Sequence, residues 1–131
     1  MVWMIGGFIS VALGSVLGAV ARYFVSGFVA RRAGETFPYG TLLINVSGAF
    51  VIGIFGDLAQ DNASLFAEPD PWLFVVTGFL GAYTTVSSFS LQTLSLARDG
   101  EGTRAALYIV LSVALSLMAA WLGFVLVDAL R

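Results

Sequence analysis

The charged residues of this 131-residue chain crowd into short intervals and leave long apolar stretches between them. A helix needs about 20 residues to cross the roughly 30 Å hydrocarbon core of a bilayer. Four stretches reach that length, and only Arg22 lies well inside one of them. The sequence therefore predicts an all-α membrane protein, one domain over residues 1–131, with four transmembrane helices at about 2–29, 39–58, 71–97 and 103–130.

Composition supports this class and excludes several functions. Hydrophobic residues make up 59% of the chain, charged residues 11%, and the mean hydropathy is +0.95. Cysteine and histidine are both absent, which excludes disulfides and thiolate or imidazole metal sites and leaves few enzyme mechanisms. A net charge of −2 without a basic cluster argues against a nucleic-acid partner. We expect a multi-pass protein of the cell membrane, in contact with lipid.

Local chemistry indicates where the helices begin and end. Asp70 is the expected N-cap of the third helix and Pro71 its first helical residue, while Gly100 suits the left-handed C-cap at its end. Pro38 precedes the second helix. Short connections make neighbouring helices antiparallel, so both termini lie on one side of the membrane.

Arginine is distributed unequally between the two sides. Four arginines fall at the first and third connections, Arg31, Arg32, Arg98 and Arg104, whereas Arg131 alone falls on the other side. The positive-inside rule then places those two connections in the cytoplasm, and the termini and the acidic second connection outside.

The first helix carries a row of small residues at every fourth position. The row consists of Gly6, Ser10, Gly14, Gly18, Arg22 and Ser26. Such rows allow close helix packing in lipid. Arg22 either extends its side chain to the interface or is buried against partners.

The third helix concentrates hydroxyl groups at its middle, five within the seven positions 84–90. Gly78 and Gly81 precede the cluster and weaken regular helix, so we predict a break near Gly81–Thr85. A break at that depth frees backbone carbonyls, which suit a small cation. The alternative is a continuous helix whose hydroxyls bond to their own preceding turn.

Polar residues on the second and fourth helices extend this cluster. Thr41 and Asn45 share one face of the second helix, and Tyr108, Ser112 and Ser116 form a stripe on the fourth. Each residue taken singly also fits simple helix packing. Together with Thr85 and Ser88 they form a file of hydrogen-bond donors, and with the positive ring edge of Phe89 this file favours a small anion such as fluoride.

Two segments carry a specific resemblance. The run Gly78–Ser90, GFLGAYTTVSSFS, and the upstream run Pro38–Asn45, PYGTLLIN, resemble the Fluc family of CrcB-type fluoride channels. The resemblance implies an antiparallel, dual-topology dimer with two fluoride pores and a central structural sodium ion. It also implies passive export of fluoride, which enters as uncharged hydrogen fluoride and is trapped as the anion in the cytoplasm, so that export lowers its toxicity.

The resemblance also implies roles for individual residues. The backbone carbonyls of Gly81 and Thr84 would bind sodium, Asn45 would donate to fluoride, and Phe89 would present its ring edge. Tyr108, Ser112 and Ser116 would line the exit. We add Thr85 and Ser88 to the fluoride pathway, and place Arg22 and Thr41 at its vestibule.

The chain departs from the family pattern in two respects. Val86 stands where the family has the first of two phenylalanines, and the arginine bias of four to one is unusual for a subunit that inserts in both orientations. A homodimer is the first expectation. The alternative is one subunit of an obligate heterodimer with an oppositely oriented paralogue.

Two other classes compete with a channel. A small multidrug exporter also has four helices, but it needs a membrane-embedded carboxylate to exchange protons, and here Asp57 and Asp128 lie near helix ends. A purely structural membrane subunit would leave the hydroxyl cluster without a role.

Overall fold

The structure, a computed structural model, describes residues 2–34, 36–61 and 63–130, with side chains from residue 5 onward. Within these ranges four segments are long and apolar enough to cross a membrane, which confirms the predicted number of spans: Ile5–Ala33, Tyr39–Leu58, Pro69–Arg98 and Gly102–Asp128.

Five helices make up these four spans, because the third span consists of two. Residues 69–83 form α3, which is α-helical at Pro69–Trp72 and Gly81–Tyr83 and π-helical at Leu73–Leu80. The other helices are α1 Val2–Ala33, α2 Tyr39–Leu58, α4 Val86–Arg98 and α5 Gly102–Asp128. A short 3₁₀ turn, Leu65–Ala67, lies between α2 and α3.

Helix α1 continues four residues beyond its predicted end at Val29. Arg31 and Arg32 lie in its last turn, where positive charge interacts favourably with the helix dipole. Gly34 then adopts φ +75°, the left-handed conformation that ends helices.

The predicted start of the third span is wrong by two residues. Glu68, in extended conformation at φ −78° and ψ 142°, is the N-cap, and Pro69 is the first helical residue. Asp70 therefore lies inside the first turn. Pro69 explains the earlier start, because its fixed φ suits a helix and its missing N–H leaves no unpaired donor.

Helix α1 packs directly on the backbone of α3. A β-carbon at Gly14 would overlap the carbonyl oxygen of Phe74, and one at Gly18 would overlap that of Phe79. Gly78 makes the reciprocal approach, since its β-carbon would lie 2.7 Å from the carbonyl oxygen of Val11. The small-residue row thus packs against the π-helical segment. The sequence did not predict that this segment is π-helical.

Helices α2 and α5 form a second extensive helix pair, also through glycine. A β-carbon at Gly53 would overlap the carbonyl oxygen of Ala120, and one at Gly123 would overlap that of Phe50. Contacts of this kind hold helices together in lipid, where the hydrophobic effect does not drive association.

Helix α4 ends at the predicted glycine. Gly100 has φ +79°, its N–H donates to the carbonyl oxygen of Ala97, and the Glu101 N–H donates to that of Leu96 at 2.9 Å. This is the Schellman arrangement of helix C-termini.

The outer surface is apolar and the arginines of two connections share one end of the bundle. Phe8, Leu117 and Trp121 are each more than 60% exposed, as expected for side chains that face lipid or another chain. One cavity is lined both by Gly34 and by Arg104, so the first and third connections lie together. Arg131, which enters the predicted charge bias, lies outside the described residues. The chain is a multi-pass membrane protein.

Candidate functional site: an interrupted span beside an uncharged cavity

The third span is interrupted at Thr84 and Thr85. Both residues are extended, with φ and ψ of −78° and 162° for Thr84 and −154° and 123° for Thr85. The interruption falls within the predicted segment Gly81–Thr85, although Gly81 itself remains helical. The threonine pair rather than the glycine is therefore the point of the break.

Side chains from two other helices form hydrogen bonds with the backbone of Thr84 and Thr85. The Asn45 amide accepts from the Thr85 N–H at 2.8 Å and donates through Nδ2 to the Thr85 carbonyl at 2.9 Å. Arg22 Nη1 donates to the Thr84 carbonyl at 3.2 Å. Of the two alternatives for Arg22, the structure thus shows the one in which it contacts a protein partner within the span.

The hydroxyl cluster divides into two kinds. Thr84 Oγ1 and Ser90 Oγ donate to the carbonyls of their own preceding turns, the bonding predicted for a continuous helix. Thr85 Oγ1 instead caps α4 by accepting from the Ser88 N–H, and it lies 3.2 Å from the hydroxyls of Ser87 and Ser88. Thr85 is consequently the centre of the cluster.

A cavity of about 480 Å³ brings together most of the residues that the sequence analysis selected. Its lining draws on α2, α3, α4 and α5 and on the break between α3 and α4. The predicted site residues among its walls are Asn45, Gly81, Thr84, Thr85, Phe89, Ser112 and Ser116. Ser88 is bonded to Thr85 beside this cavity.

This cavity is the smaller of two cavities at the site. Its walls contain no charged residue among the residues described. Ser112 is 7% exposed, and its hydroxyl has no hydrogen-bond partner in the described part of the chain. Val86, where the resemblance implies a phenylalanine, also lines the cavity and is 76% exposed. The cavity therefore offers neutral donors and leaves one side uncovered in the single chain.

Tyr108 lies between this cavity and a second one. It is fully buried, its ring centre is 5.2 Å from that of Phe89 in the smaller cavity, and its hydroxyl donates to Gln92 Oε1 at 3.0 Å. Gln92 and Phe37, whose ring centre is 5.5 Å from that of Tyr108, line the second cavity. Sequence reasoning missed Gln92, although a single amide inside an apolar span was the signal that selected Asn45.

The second cavity, of about 650 Å³, lies at the end of the bundle where the first and third connections meet. Thr41, predicted for the vestibule, lines it and lies beside the Tyr108 hydroxyl. Arg104, which pairs with Glu101 at 3.4 Å, is also in its wall. Arg22, the other residue predicted for the vestibule, does not line it and lies instead at the break.

Sequence comparison identifies the family of the chain. The family model described as CrcB-like protein, Camphor Resistance (CrcB), matches residues 9–124. Fluoride-specific ion channel FluC 2 of Bradyrhizobium diazoefficiens is 62% identical over 97% of this chain and 93% of that protein. Proteins named Fluoride-specific ion channel from Rhodopseudomonas palustris and Methylocella silvestris are 59% and 50% identical, each over 92% of both chains. These relatives are channels rather than enzymes, and the chain belongs to the CrcB family.

Proposed function

We propose that the chain forms a fluoride-selective channel that exports cytoplasmic fluoride passively. The observation that carries the proposal is the smaller cavity, where Asn45, Phe89 and Ser112 meet in an uncharged lining. The relatives' names, which specify fluoride, support it.

The donors in the smaller cavity suit an anion. Ser112 supplies a buried hydroxyl without a protein partner in the described chain. The amide of Asn45 has two hydrogens on Nδ2, and the contact with Thr85 uses one of them. Helix α4 begins at Val86, so its positive N-terminal end lies in the middle of the span and beside the cavity.

The two cavities supply the route. Fluoride would enter the larger cavity, pass Tyr108, and reach Phe89 and the serines of the smaller cavity. The ring edges of Phe89 and Tyr108 carry partial positive charge and can replace some of the water that the ion loses. A small anion gains most from close donors in a narrow route, which favours fluoride over larger halides.

A proton-coupled exporter is less consistent with the site. Such an exporter needs a carboxylate in contact with its substrate. The buried carboxylate Asp57 lies in the last turn of α2, and Asp128 ends α5; neither lines the smaller cavity.

The uncovered side of the cavity supports a dimer. Val86 and Gly81 are both exposed in the single chain although they lie at mid-span. We propose that an antiparallel second copy covers them and completes two pores. The four arginines at one end of the bundle favour the alternative of a fixed orientation, in which a paralogue of opposite orientation takes the place of that copy.

Gly81 and Thr84 fit a small, hard cation such as sodium. Both offer backbone carbonyl oxygens, the ligand type that such cations prefer. The Thr84 oxygen accepts one hydrogen bond from Arg22, and its second lone pair is available. The ion would hold the two interrupted spans of the dimer together, with the second copy contributing the same pair of carbonyls.

Ion efflux from liposomes that contain only this protein tests the proposal. We expect rapid loss of fluoride and retention of chloride, and protein-free liposomes that retain both ions provide the control. Retention of fluoride, or equal loss of both ions, would contradict a fluoride-selective channel that works by itself.

The orientation of the chain distinguishes homodimer from heterodimer. Reporters fused to the C-terminus that are active on only one side of the membrane should both give signal if the chain inserts in both orientations. Signal from a single reporter would replace the homodimer by a paired system.

A further inference from the structure

The contact between Asn45 and Thr85 has an unusual form. The side-chain amide binds both the N–H and the carbonyl of one residue, at 2.8 and 2.9 Å, as a neighbouring peptide group would. Thr85 is 8% exposed, so water has little access to these groups. Asn45 is thus a full hydrogen-bonding partner for the interrupted backbone.

This contact determines whether the Gly81 carbonyl accepts its helical hydrogen bond. In a continuous α-helix the Thr85 N–H would donate to the carbonyl of Gly81, four residues earlier. Here that N–H donates to Asn45 Oδ1. The carbonyl of Gly81 is thereby released from its helical donor, on a residue that is exposed in the single chain.

We propose that Asn45 is a positioning residue that keeps the third span interrupted and so keeps the Gly81 carbonyl available to a cation. This inference rests on the proposed cation site. It gives Asn45 a second role beside donation to fluoride, and it couples the anion route to the cation site through the backbone of Thr85.

The other contacts at the break cannot fulfil this role. Arg22 binds the carbonyl of Thr84, and Thr85 Oγ1 binds the N–H of Ser88. Neither contact involves the Thr85 N–H, so neither prevents its return to Gly81. Without the Asn45 acceptor, that N–H would be unpaired within the membrane, which is strongly disfavoured, and helical bonding to Gly81 would restore a partner.

Two variants separate the acceptor from the rest of the side chain. Asn45→Leu keeps a similar volume and removes all hydrogen bonding, whereas Asn45→Asp keeps the oxygen that accepts from Thr85. Ser112→Ala is the matched control, because it removes a polar group from the same cavity without a bond to the break. The backbone is read from the carbon chemical shifts of isotope-labelled threonine in lipid nanodiscs.

We expect extended-conformation shifts for Thr84 and Thr85 in the wild-type chain, in Ser112→Ala and in Asn45→Asp. In Asn45→Leu we expect the Thr85 shifts to move to helical values. Extended shifts in Asn45→Leu would overturn the proposal, and helical shifts in Asn45→Asp would show that the acceptor is insufficient and would also overturn it. If Asn45→Leu does not fold, Asn45→Ala provides the same test.

Cation binding is measured separately by thermal unfolding in sodium chloride and in N-methylglucamine chloride of equal ionic strength. Sodium should raise the melting temperature of the wild-type chain and of Asn45→Asp, and this increase should be lost in Asn45→Leu. An increase retained in Asn45→Leu would overturn the coupling. If sodium has no effect on the wild-type chain, the cation site fails while the threonine shifts still decide whether Asn45 maintains the break.

Discussion

The two halves of the third span are held in place by different means. Helix α3 buries Val76, Gly78 and Leu80, and its backbone touches glycines of α1. Helix α4 has no buried residue within Val86–Arg98, and polar side chains determine where it begins. The first half is therefore fixed by close packing, and the second half by hydrogen bonds at the break together with whatever covers its exposed face.

The largest effect should come from a charge at the junction of the two halves. Asn45→Asp places a carboxylate on the proposed fluoride route, and two like charges about 4 Å apart repel each other by about 4 kcal/mol at an effective dielectric constant of about 20. We expect fluoride efflux from liposomes to fall by at least about 100-fold, since each 1.4 kcal/mol corresponds to about tenfold.

Gln92→Glu provides the control for charge alone. It makes the same amide-to-carboxylate change in the larger cavity, next to Tyr108. Because that cavity also contains charged side chains, we expect a smaller loss of efflux. Equal losses in the two variants would mean that the smaller cavity has no special place in the route.

The close packing of the first half is tested at Gly18. Gly18→Val forces a side chain against the Phe79 carbonyl, and overpacking of this kind destabilises a protein by about 1–3 kcal/mol. Thermal unfolding in detergent should show a clear decrease in melting temperature. Gly6→Val is the matched control, because no other part of the described chain lies within 4 Å of a β-carbon at Gly6. Equal stability of the two variants would refute the packing argument.

Phe89→Ala tests whether the ring of Phe89, in the second half, contributes to fluoride efflux. Aromatic contacts of this type contribute about 0.5–1.5 kcal/mol, so fluoride efflux should fall by up to about tenfold without loss of folded protein. Phe124→Ala removes a ring that lines neither cavity and should leave efflux unchanged. Normal efflux in Phe89→Ala would remove that ring from the fluoride route.

The smallest effect on fluoride efflux is expected at Val86, in the second half of the third span. Val86 lies on the cavity wall and is exposed in the single chain. Val86→Phe restores the ring that the family resemblance implies, and we expect fluoride efflux to increase by a factor below about ten. Unchanged efflux would indicate that another ring already supplies this contact.

The placement of charges was sufficient to predict the four spans, and the two glycines and the hydroxyl cluster of the third span were sufficient to predict a break within Gly81–Thr85. The partners of Asn45, Arg22 and Gln92 were not predictable in the same way. Each contact depends on the rotation and depth of one helix relative to another, whereas sequence periodicity defines only the faces of a single helix.

Two features of the third span were not predicted correctly: the residue at which it begins and its π-helical turns. Asp70 matched the preferred residue type for an N-cap, but Glu68 is the N-cap and Pro69 begins the helix, two residues before the predicted start at Pro71. The π-helical turns at Leu73–Leu80 have no sequence signature. They pack against α1, and the third span alone contains no information about that contact.

The burial of Tyr108 has a consequence for water. Its completely buried ring, with Phe37 on one side and Phe89 on the other, separates the two cavities in the described part of the chain. An ion that passes this ring must exchange its hydration shell for protein contacts, one ion at a time. Vesicles that contain the protein should therefore shrink under osmotic stress no faster than bare lipid, even while they conduct.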